Sequence, residues 1–386
     1  MPAPRVFLIG FNTFIGRQVL QGIRTYLQGR PPWEIYVVPA SVVRATLHGL
    51  LTHHTAWRPD GMIAMVRTPE LQRKLTRLRI PVVNTSGVFE GGLPRVSHDN
   101  PAIGHMAAEH LLKRGLRQFA FVCLTWEWYV KQRYEGFATT IRRADFPVTA
   151  FKYFGRAQEP RNYIQYQVDL RNWLCALEKP VGILASYDDQ AQEVLWACQQ
   201  AGLNVPHDVA VVGVENEEQI CSISIPAISS VETGAWRIGS EAAAALQRMM
   251  RGARPPSAPV LVPPLHVVER QSSDLVATDD PRIATAIRFI RERANQPIGV
   301  ADILKQVHMS RRTFERRFAK VVGCSPRAEI DRIRLDRARK LLVETDQPIP
   351  AVAVAAGFLR PANFTAFFRR KTGQTPSGFR KRLRAR

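Results

Sequence analysis

One spacing occurs twice near the C-terminal end of this chain, fifty residues apart, and it leaves little choice of fold there. Phe314-x3-Phe318-x4-Gly323-x2-Pro326, in "TFERRFAKVVGCSP", returns as Phe364-x3-Phe368-x4-Gly373-x2-Pro376, in "NFTAFFRRKTGQTP". Phenylalanines at i and i+4 share one helix face and dock it into a core. The glycine that follows suits a helix end, where positive φ is needed. The proline three residues later suits the first turn of the next helix. Each repeat is preceded by a short apolar helix and a turn, "VADILKQVHMS" before the first and "IPAVAVAAGFLR" before the second. Short helix, turn and amphipathic basic helix make a helix-turn-helix. "EIDRIRLDRARKLLVETD" reads as a long amphipathic helix between the two. The expectation is an all-α tandem helix-turn-helix domain over residues 282–386.

Charge indicates what such a module meets. Of a net +21 over 386 residues, +15 sits in residues 279–386, with 25 basic and 10 acidic side chains; the first 278 residues are nearly balanced. A basic module on a balanced body points to a polyanion, here double-stranded DNA. The first recognition helix begins after Ser310, a good N-cap, with Arg311, Arg312, Thr313, Glu315 and Arg316 facing outward. The second presents Arg360, Pro361, Ala362, Asn363, Thr365 and Ala366.

This tandem arrangement resembles the DNA-binding domain of AraC-family regulators over nearly all of residues 282–384. The resemblance implies that these outward positions face the major groove. Arginine suits guanine O6/N7, and Glu315 can accept from cytosine N4. Arg312 and Arg316 are expected near base edges, with Arg317 solvated or on phosphate. The second helix, poorer in polar groups, is expected to read fewer bases. Arg360 and Asn363 would supply its polar contacts, an alanine such as Ala362 could meet a thymine methyl, and Arg369, Arg370 and Lys371 would hold phosphates.

The first 270 residues read differently. Short β-rich runs at Val6–Gly10, Ile35–Val38, Gly61–Val66, Pro81–Asn84, Phe119–Leu124, Val181–Ser186 and Val209–Val214 alternate with helical patterns at Gly16–Leu27, Pro101–Arg114, Trp128–Arg143, Asp189–Ala201 and Ala235–Met250. Near-continuous apolar strands separated by helices predict parallel sheet covered on both faces. Residues 1–120 and 120–260 each hold several such units. This predicts two doubly wound halves with a ligand between them at the carboxyl ends of the strands. No dinucleotide fingerprint follows the first strand and no phosphate-binding loop occurs, so nucleotide chemistry is unsupported.

The stretches "PRVSHDNPAIGHMAAEHLLKRGLRQFAFV", "QRYEGFATTIR", "PVGILASYDDQAQEVLWACQQAGLNVPHDVAVVGVENEE" and "PAISSVETGAWRIGSEAAAAL" resemble the sensor core of LacI-type regulators and periplasmic sugar-binding proteins. The resemblance implies an α/β two-lobed periplasmic-binding-protein-like (LacI-type) sensor domain over residues 1–270 and a monosaccharide effector. It places polar ligand contacts at Asp188 and Asp189 and a hydroxyl-binding arginine at Arg133. Glu215 stands where the family usually has aspartate, with Asn216 beside it. On the opposite lip, Asn12 could bond a hydroxyl while Phe11 and Phe14 stack on a sugar ring, or these residues close a turn. Of Trp126 and Trp128, flanking Glu127, one is expected as a sugar platform, represented by Trp126, and the other in the core. Asp99, ahead of Asn100, reads mainly as a helix N-cap.

Paired carboxylates also serve glycoside hydrolysis. No Ser/His/Asp or Cys/His set accompanies them and the histidines lack metal spacing, so no enzyme, metal site or cofactor is expected. The five cysteines are scattered and odd in number. No run of about 18 apolar residues exists to span a membrane, and the N-terminus lacks an export signal. A reduced, cytoplasmic protein without a membrane partner is expected. "QSSDLVATDDP" reads as a linker over residues 271–281.

A LacI-like sensor ahead of an AraC-like domain resembles the family of bacterial xylose operon regulators. That resemblance implies an activator acting with RNA polymerase, a D-xylose effector and a homodimer. A regulator of another sugar, or one with a degenerate sensor and constitutive DNA binding, stays open on the residues alone.

Overall fold

The structure, a computed structural model, describes residues 3–39, 43, 49, 58–88, 92–153, 160–275, 280–345 and 347–384. Most apolar runs of the first part become strands within two residues of the expected ends. β1 (Arg5–Ile9), β2 (Glu34–Val38), β3 (Gly61–Ala64) and β4 (Val82–Asn84) form a parallel sheet in the order β2-β1-β3-β4. After β5 (Val96–His98), a second sheet contains β6 (Gln118–Cys123), β7 (Val148–Lys152), β8 (Val181–Ala185), β9 (Val209–Val214) and β10 (Ser229–Glu232). β11 (Val260–Val262) pairs with β5 in a separate two-stranded sheet, and β12 (His266–Val268) completes the second sheet, whose order is β12-β10-β9-β8-β6-β7, parallel except where β12 joins β10. β8 and β9 are buried at every position, as strands with both faces covered must be. Helices α1 (Phe14–Leu27), α2 (Pro69–Arg77), α3 (Asn100–Leu112), α4 (Trp128–Arg143), α5 (Pro160–Ala176), α6 (Asp188–Gln200), α7 (Glu218–Ile223) and α8 (Ala235–Met250) belong to this unit, which closes at Leu275.

The two lobes are not the contiguous halves that the sequence suggests. Ile238, Ala242, Ala243 and Leu246 of α8 join the core of β1 and β3. α3 instead covers the second sheet, with Leu111 against Gly182 of β8. The chain therefore crosses between lobes near residues 98–100, 232–235 and 262–266, and the parallel pair β5–β11 lies at these crossings. Glycine makes the helix pairs close. A Cβ on Gly104 would strike the Arg133 carbonyl in α4, and one on Gly239 would strike Val19 in α1.

The second unit, Val276–Arg386, is all helical among its described residues. It contains α9 (Pro281–Arg293), α10 (Val300–Val307), α11 (Arg311–Val322), α12 (Pro326–Glu344), α13 (Ile349–Ala355), α14 (Pro361–Thr372) and α15 (Pro376–Arg384). The repeat behaves as its chemistry demands. Gly323 and Gly373 cap α11 and α14 in the left-handed conformation, φ +79° and +74°. Ser310 and Ser325 accept from the Thr313 and Ala328 amides. Phe314 and Phe318 are buried in one core with Ile303 and Val307; Phe364 and Phe368 are buried in another with Val352 and Ala353. Burying each ring stabilises its half by about 1.5–3 kcal/mol. The long α12 gives Ile330 to the first core and Ala338 and Leu342 to the second.

The expected linker is shorter than its composition suggests. Ser272 and Ser273 are buried in the first unit, while Asp280 and Pro281 already cap and open α9. Polar composition misleads here because the serine hydroxyls are satisfied internally: Ser272 Oγ donates to Val211 O at 2.6 Å.

Candidate functional site

A cavity of about 530 Å³ lies between the lobes of the first unit, at the carboxyl ends of both sheets. From the first lobe, Thr13, Phe14, Met65 and Arg67 line it; Ser97 and His98 enter from β5 at the crossing. From the second come Tyr129 and Arg133 of α4, Tyr187, Asp189, Gln190 and Glu193 around α6, and Glu215 and Glu217 after β9.

Arg133 is the floor. It is 2% exposed, yet its Nε donates to Asn100 Oδ1 at 2.9 Å and its Nη1 to Ser186 O at 2.6 Å. Two of its donor groups are thus fixed, and the guanidinium lies against the rings of Tyr129 and Tyr187, 5.2 and 6.0 Å from their centroids. Those tyrosines join hydroxyl to hydroxyl at 2.6 Å. Three buried polar atoms of residues that line the cavity have no hydrogen-bond partner within the protein: Ser97 Oγ, His98 Nε2 and Gln190 Nε2. Buried polar groups are nearly always paired, so these three atoms are left to bond a water or a polar ligand in the cavity.

The electrostatics suit a neutral, polar occupant. Burial and the nearby Arg133 charge press His98 down to about 3, so its ring is neutral. Burial raises Glu215 to about 8, with the Arg133 charge opposing and the neighbouring Asp188 and Asp189 charges assisting. A protonated Glu215 donates as well as accepts. Its backbone is also unusual, with φ +103° followed by +52° at Asn216. A non-glycine residue held so costs about 1–3 kcal/mol and persists only where surroundings over-determine it.

The structure divides the expected ligand set. Phe14, Arg133, Asp189 and Glu215 line the cavity together. Phe11 does not: it precedes the helix start at Phe14 and is buried in the first-lobe core that also holds Val6 and Val19. Asn12 is exposed and outside the lining. Trp126 also lies outside, packed on Tyr134 with Lys152 Nζ 3.8 Å from its ring, while Trp128 stacks under the Arg95 guanidinium at 4.5 Å. Asp188 sits one layer behind the wall, 2% exposed, accepting from Ser230 Oγ at 2.5 Å and from the Glu217 amide at 2.7 Å. Burial raises its carboxyl to about 7 against those bonds. Asn216 likewise faces away, donating to Glu232 at 2.9 Å. Asp99 caps α3 through the Ala102 amide. Sequence reasoning missed Ser97, His98, Tyr129, Tyr187 and Gln190. For Ser97 and His98 the available signal was their place at a strand end immediately before the Asp99 cap.

On the second unit, α11 presents Arg311, Arg312 and Arg316 to solvent. Glu315 pairs with Arg311 at 2.9 Å, and Thr313 Oγ1 accepts from Ser310 Oγ at 2.9 Å. Arg317 is not simply solvated: its Nη1 meets Asp280 at 2.7 Å, and the Arg317 and Arg282 bonds hold that carboxyl down at about 2. On α14, Arg360, Ala362 and Asn363 are exposed, whereas Thr365 is half-buried and returns its hydroxyl to Pro361 O at 3.3 Å. Buried Arg334 of α12 donates to Ala294 O at 2.9 Å and Gln296 O at 2.7 Å, and its guanidinium lies 5.6 Å from the ring of Phe358. It therefore joins the loop after α9 to the turn before α14. Among the described residues no group of three or more His, Cys, Asp or Glu side chains could hold a metal ion, and no helix is long and apolar enough to cross a membrane.

Three family models match this chain: a XylR N-terminal domain over residues 6–110, a periplasmic binding protein-like domain over 108–273 and a helix-turn-helix domain over 303–382. The xylose operon regulatory protein of Haemophilus influenzae is 30% identical over 382 residues, covering 97% of each chain. That of Escherichia coli K12 is 30% identical over 383 residues, covering 97% of this chain and 95% of the relative. A solved structure of a xylose-binding transcription activator matches with TM-score 0.66 at 28% identity, covering 99% of this chain and 98% of the other. With lobed sensor and paired helix-turn-helix motifs matched end to end, the chain belongs to the xylose operon regulatory protein family, which are DNA-binding, sugar-responsive transcription regulators.

Proposed function

We propose that this chain activates sugar-use genes in the cytoplasm, acting on RNA polymerase as a DNA-bound homodimer whose effector is D-xylose. Residues 1–275 serve as the sensor and residues 282–386 as the DNA-binding domain. The observation that carries the reading is the set of unpartnered Ser97, His98 and Gln190 atoms around buried Arg133, in a cavity of pentose-accommodating size. Arg133, Asp189, Gln190 and Glu215 bond the hydroxyls, and Phe14 covers the apolar ring face. Closure of the lobes on sugar shifts the sensor by as much as the sugar's preference for the closed form. The dimer is two-fold symmetric, so that two DNA-binding domains meet paired half-sites. Within each domain, Arg311, Arg312, Arg316 and Glu315 read one major groove, and Arg360, Ala362 and Asn363 read the next, about 34 Å away on straight DNA. The protein binds sugar without turning it over.

Thermal shift and calorimetry with D-xylose, L-arabinose, D-ribose, D-glucose and D-galactose test this. D-xylose should raise the unfolding temperature most. A panel in which no sugar binds, or in which product appears, would refute the reading.

A further inference from the structure

The chain leaves the first unit through residues 269–275, and one side chain ties this segment to the back of the cavity wall. Arg270 Nη2 donates to Asn216 Oδ1 at 2.9 Å and to the Glu218 carboxylate, and its Nη1 donates to Ile228 O at 2.9 Å. Asn216 and Glu218 alternate with Glu215 and Glu217, which line the cavity. One short turn therefore shows alternate side chains to the cavity and to Arg270.

That turn is held from several sides. The Glu215 amide donates to Val231 O at 3.0 Å, the Asn216 amide to Ser230 Oγ at 3.0 Å and the Glu217 amide to Asp188 at 2.7 Å. Of its two positive φ angles, that of Asn216 is one asparagine tolerates, whereas the +103° of Glu215 is a conformation glutamate does not favour unaided. A turn pinned this tightly has few ways to relax, and a change in what Glu215 bonds reaches Arg270 through its neighbour Asn216. The exit segment is equally pinned. The Arg270 amide donates to Ser229 Oγ at 2.8 Å, Arg114 Nε donates to Ser273 O at 3.0 Å, and Arg114 Nη2 pairs with Glu269 at 2.8 Å. Ten residues after Arg270, Asp280 is bonded to Arg317 of the first recognition helix.

We propose that Arg270 is the positioning residue that carries cavity occupancy to the exit segment: a ligand engaging Glu215 resets the Glu215–Asn216 turn, and Arg270 moves residues 269–275 with it. This rests on the cavity being the sugar site. It predicts a split between sensing and response. Removing the tie spares sugar binding, which uses side chains on the cavity side, and abolishes the effect of sugar on DNA.

The test uses full-length protein, D-xylose, and a duplex that the wild type selects from a random-sequence library. Calorimetry measures xylose affinity; anisotropy measures duplex affinity with and without xylose. Allosteric couplings usually span about 5–150-fold. Arg270→Lys, which keeps the charge and loses the fork, should bind xylose within about threefold of wild type while the coupling falls to about twofold or less. Asn216→Gly accepts the positive φ without the side-chain bonds and should uncouple equally, so the proposal remains testable if Arg270→Lys folds poorly. The double variant should be no worse than either single. Full coupling in both single variants overturns the proposal, as does xylose affinity falling in step with coupling. A wild type that binds xylose without any change in DNA affinity overturns it too, and one that binds no sugar overturns the cavity reading beneath it.

Discussion

Replacing Arg133 by lysine isolates what the guanidinium does in the cavity. The charge and most of the length survive; the planar fork does not. In the structure Nε and Nη1 are committed to Asn100 Oδ1 and Ser186 O, which leaves Nη2 for a ligand. A lysine ammonium cannot hold both internal acceptors and meet a sugar oxygen from the same place. If it keeps the internal bonds, the sugar loses one charge-assisted hydrogen bond of about 1.5–3 kcal/mol. That is about a 10- to 150-fold rise in Kd. If it turns to the sugar, Asn100 Oδ1 or the buried Ser186 carbonyl goes unpaired, costing about 1–3 kcal/mol of stability. For a unit of this size that is a drop of about 2–12 °C in unfolding temperature. The two losses trade against each other, so calorimetry with D-xylose and a thermal melt of the same preparation belong together. Affinity and melting temperature both at wild-type values would refute the reasoning, because a single ammonium nitrogen would then be doing the work of three separated guanidinium nitrogens.

Other consequences follow from the same geometry. Arg312→Ala should cost about 1–3 kcal/mol on the selected site and much less on random duplex; equal losses on both would reduce Arg312 to a phosphate contact. Gly357→Ala, at φ +88° with Ala294 O in the way of any Cβ, should separate the turn before α14 from the loop after α9. Selection from two-block libraries of varied spacing should then accept a broader range than wild type, and an unchanged spacing preference would show that the two motifs are not set by this contact. Between pH 6.5 and 8 apo stability should fall. The folded-state carboxyls of Glu215 and Asp188, held up at about 8 and about 7, still bind protons that the unfolded chain has released. His98 and His110, pressed down to about 3, act with the opposite sign and only below about 6.5. Glu215→Gln should flatten the slope of melting temperature against pH across that window; parallel slopes for variant and wild type would contradict the burial of this carboxyl.

The second unit was legible because its sequence signals are local. A helix whose phenylalanines recur at i and i+4, capped by glycine and followed by proline, announces its face, its end and its successor within fifteen residues, and Phe314, Gly323 and Pro326 each sit where that logic puts them. The strands of the first unit were legible for the same reason. What was not legible depends on pairings far apart in the chain. No local pattern says that α8 must return to the first sheet, so the lobes looked contiguous. The resemblance to LacI-type sensors puts a ligand contact at Asp188, after a buried strand; that it faces Ser230, forty-two residues on, is fixed only once β9 and β10 are paired. Ser97 and His98 carried only the weak signal of a strand end before a helix cap, and Gln190 none, since a polar residue there acquires meaning only from the residues that face it across the cavity.

The packing of the exit segment restricts how such a sensor can speak to DNA. The hydrogen bonds described for Arg270, Ser272 and Ser273 end on the second lobe or its covering helix: Ser272 on Val211 and Ser229, Arg270 on Asn216 and Ile228, Ser273 on Arg114 and His110. Closure alone, as a rigid swing of one lobe toward the other, would leave all of these bonds unchanged. In the frame of the second lobe the exit segment would not move, and the signal would have to come from the altered position of the first lobe. A ligand that also resets the Glu215–Asn216 turn changes the second lobe from within, where the exit is anchored. The two routes separate experimentally. Hydrogen exchange on the Ser272 and Ser229 amides, both donors in this network, should respond to D-xylose if the turn transmits, and should stay at its apo rate if closure alone does.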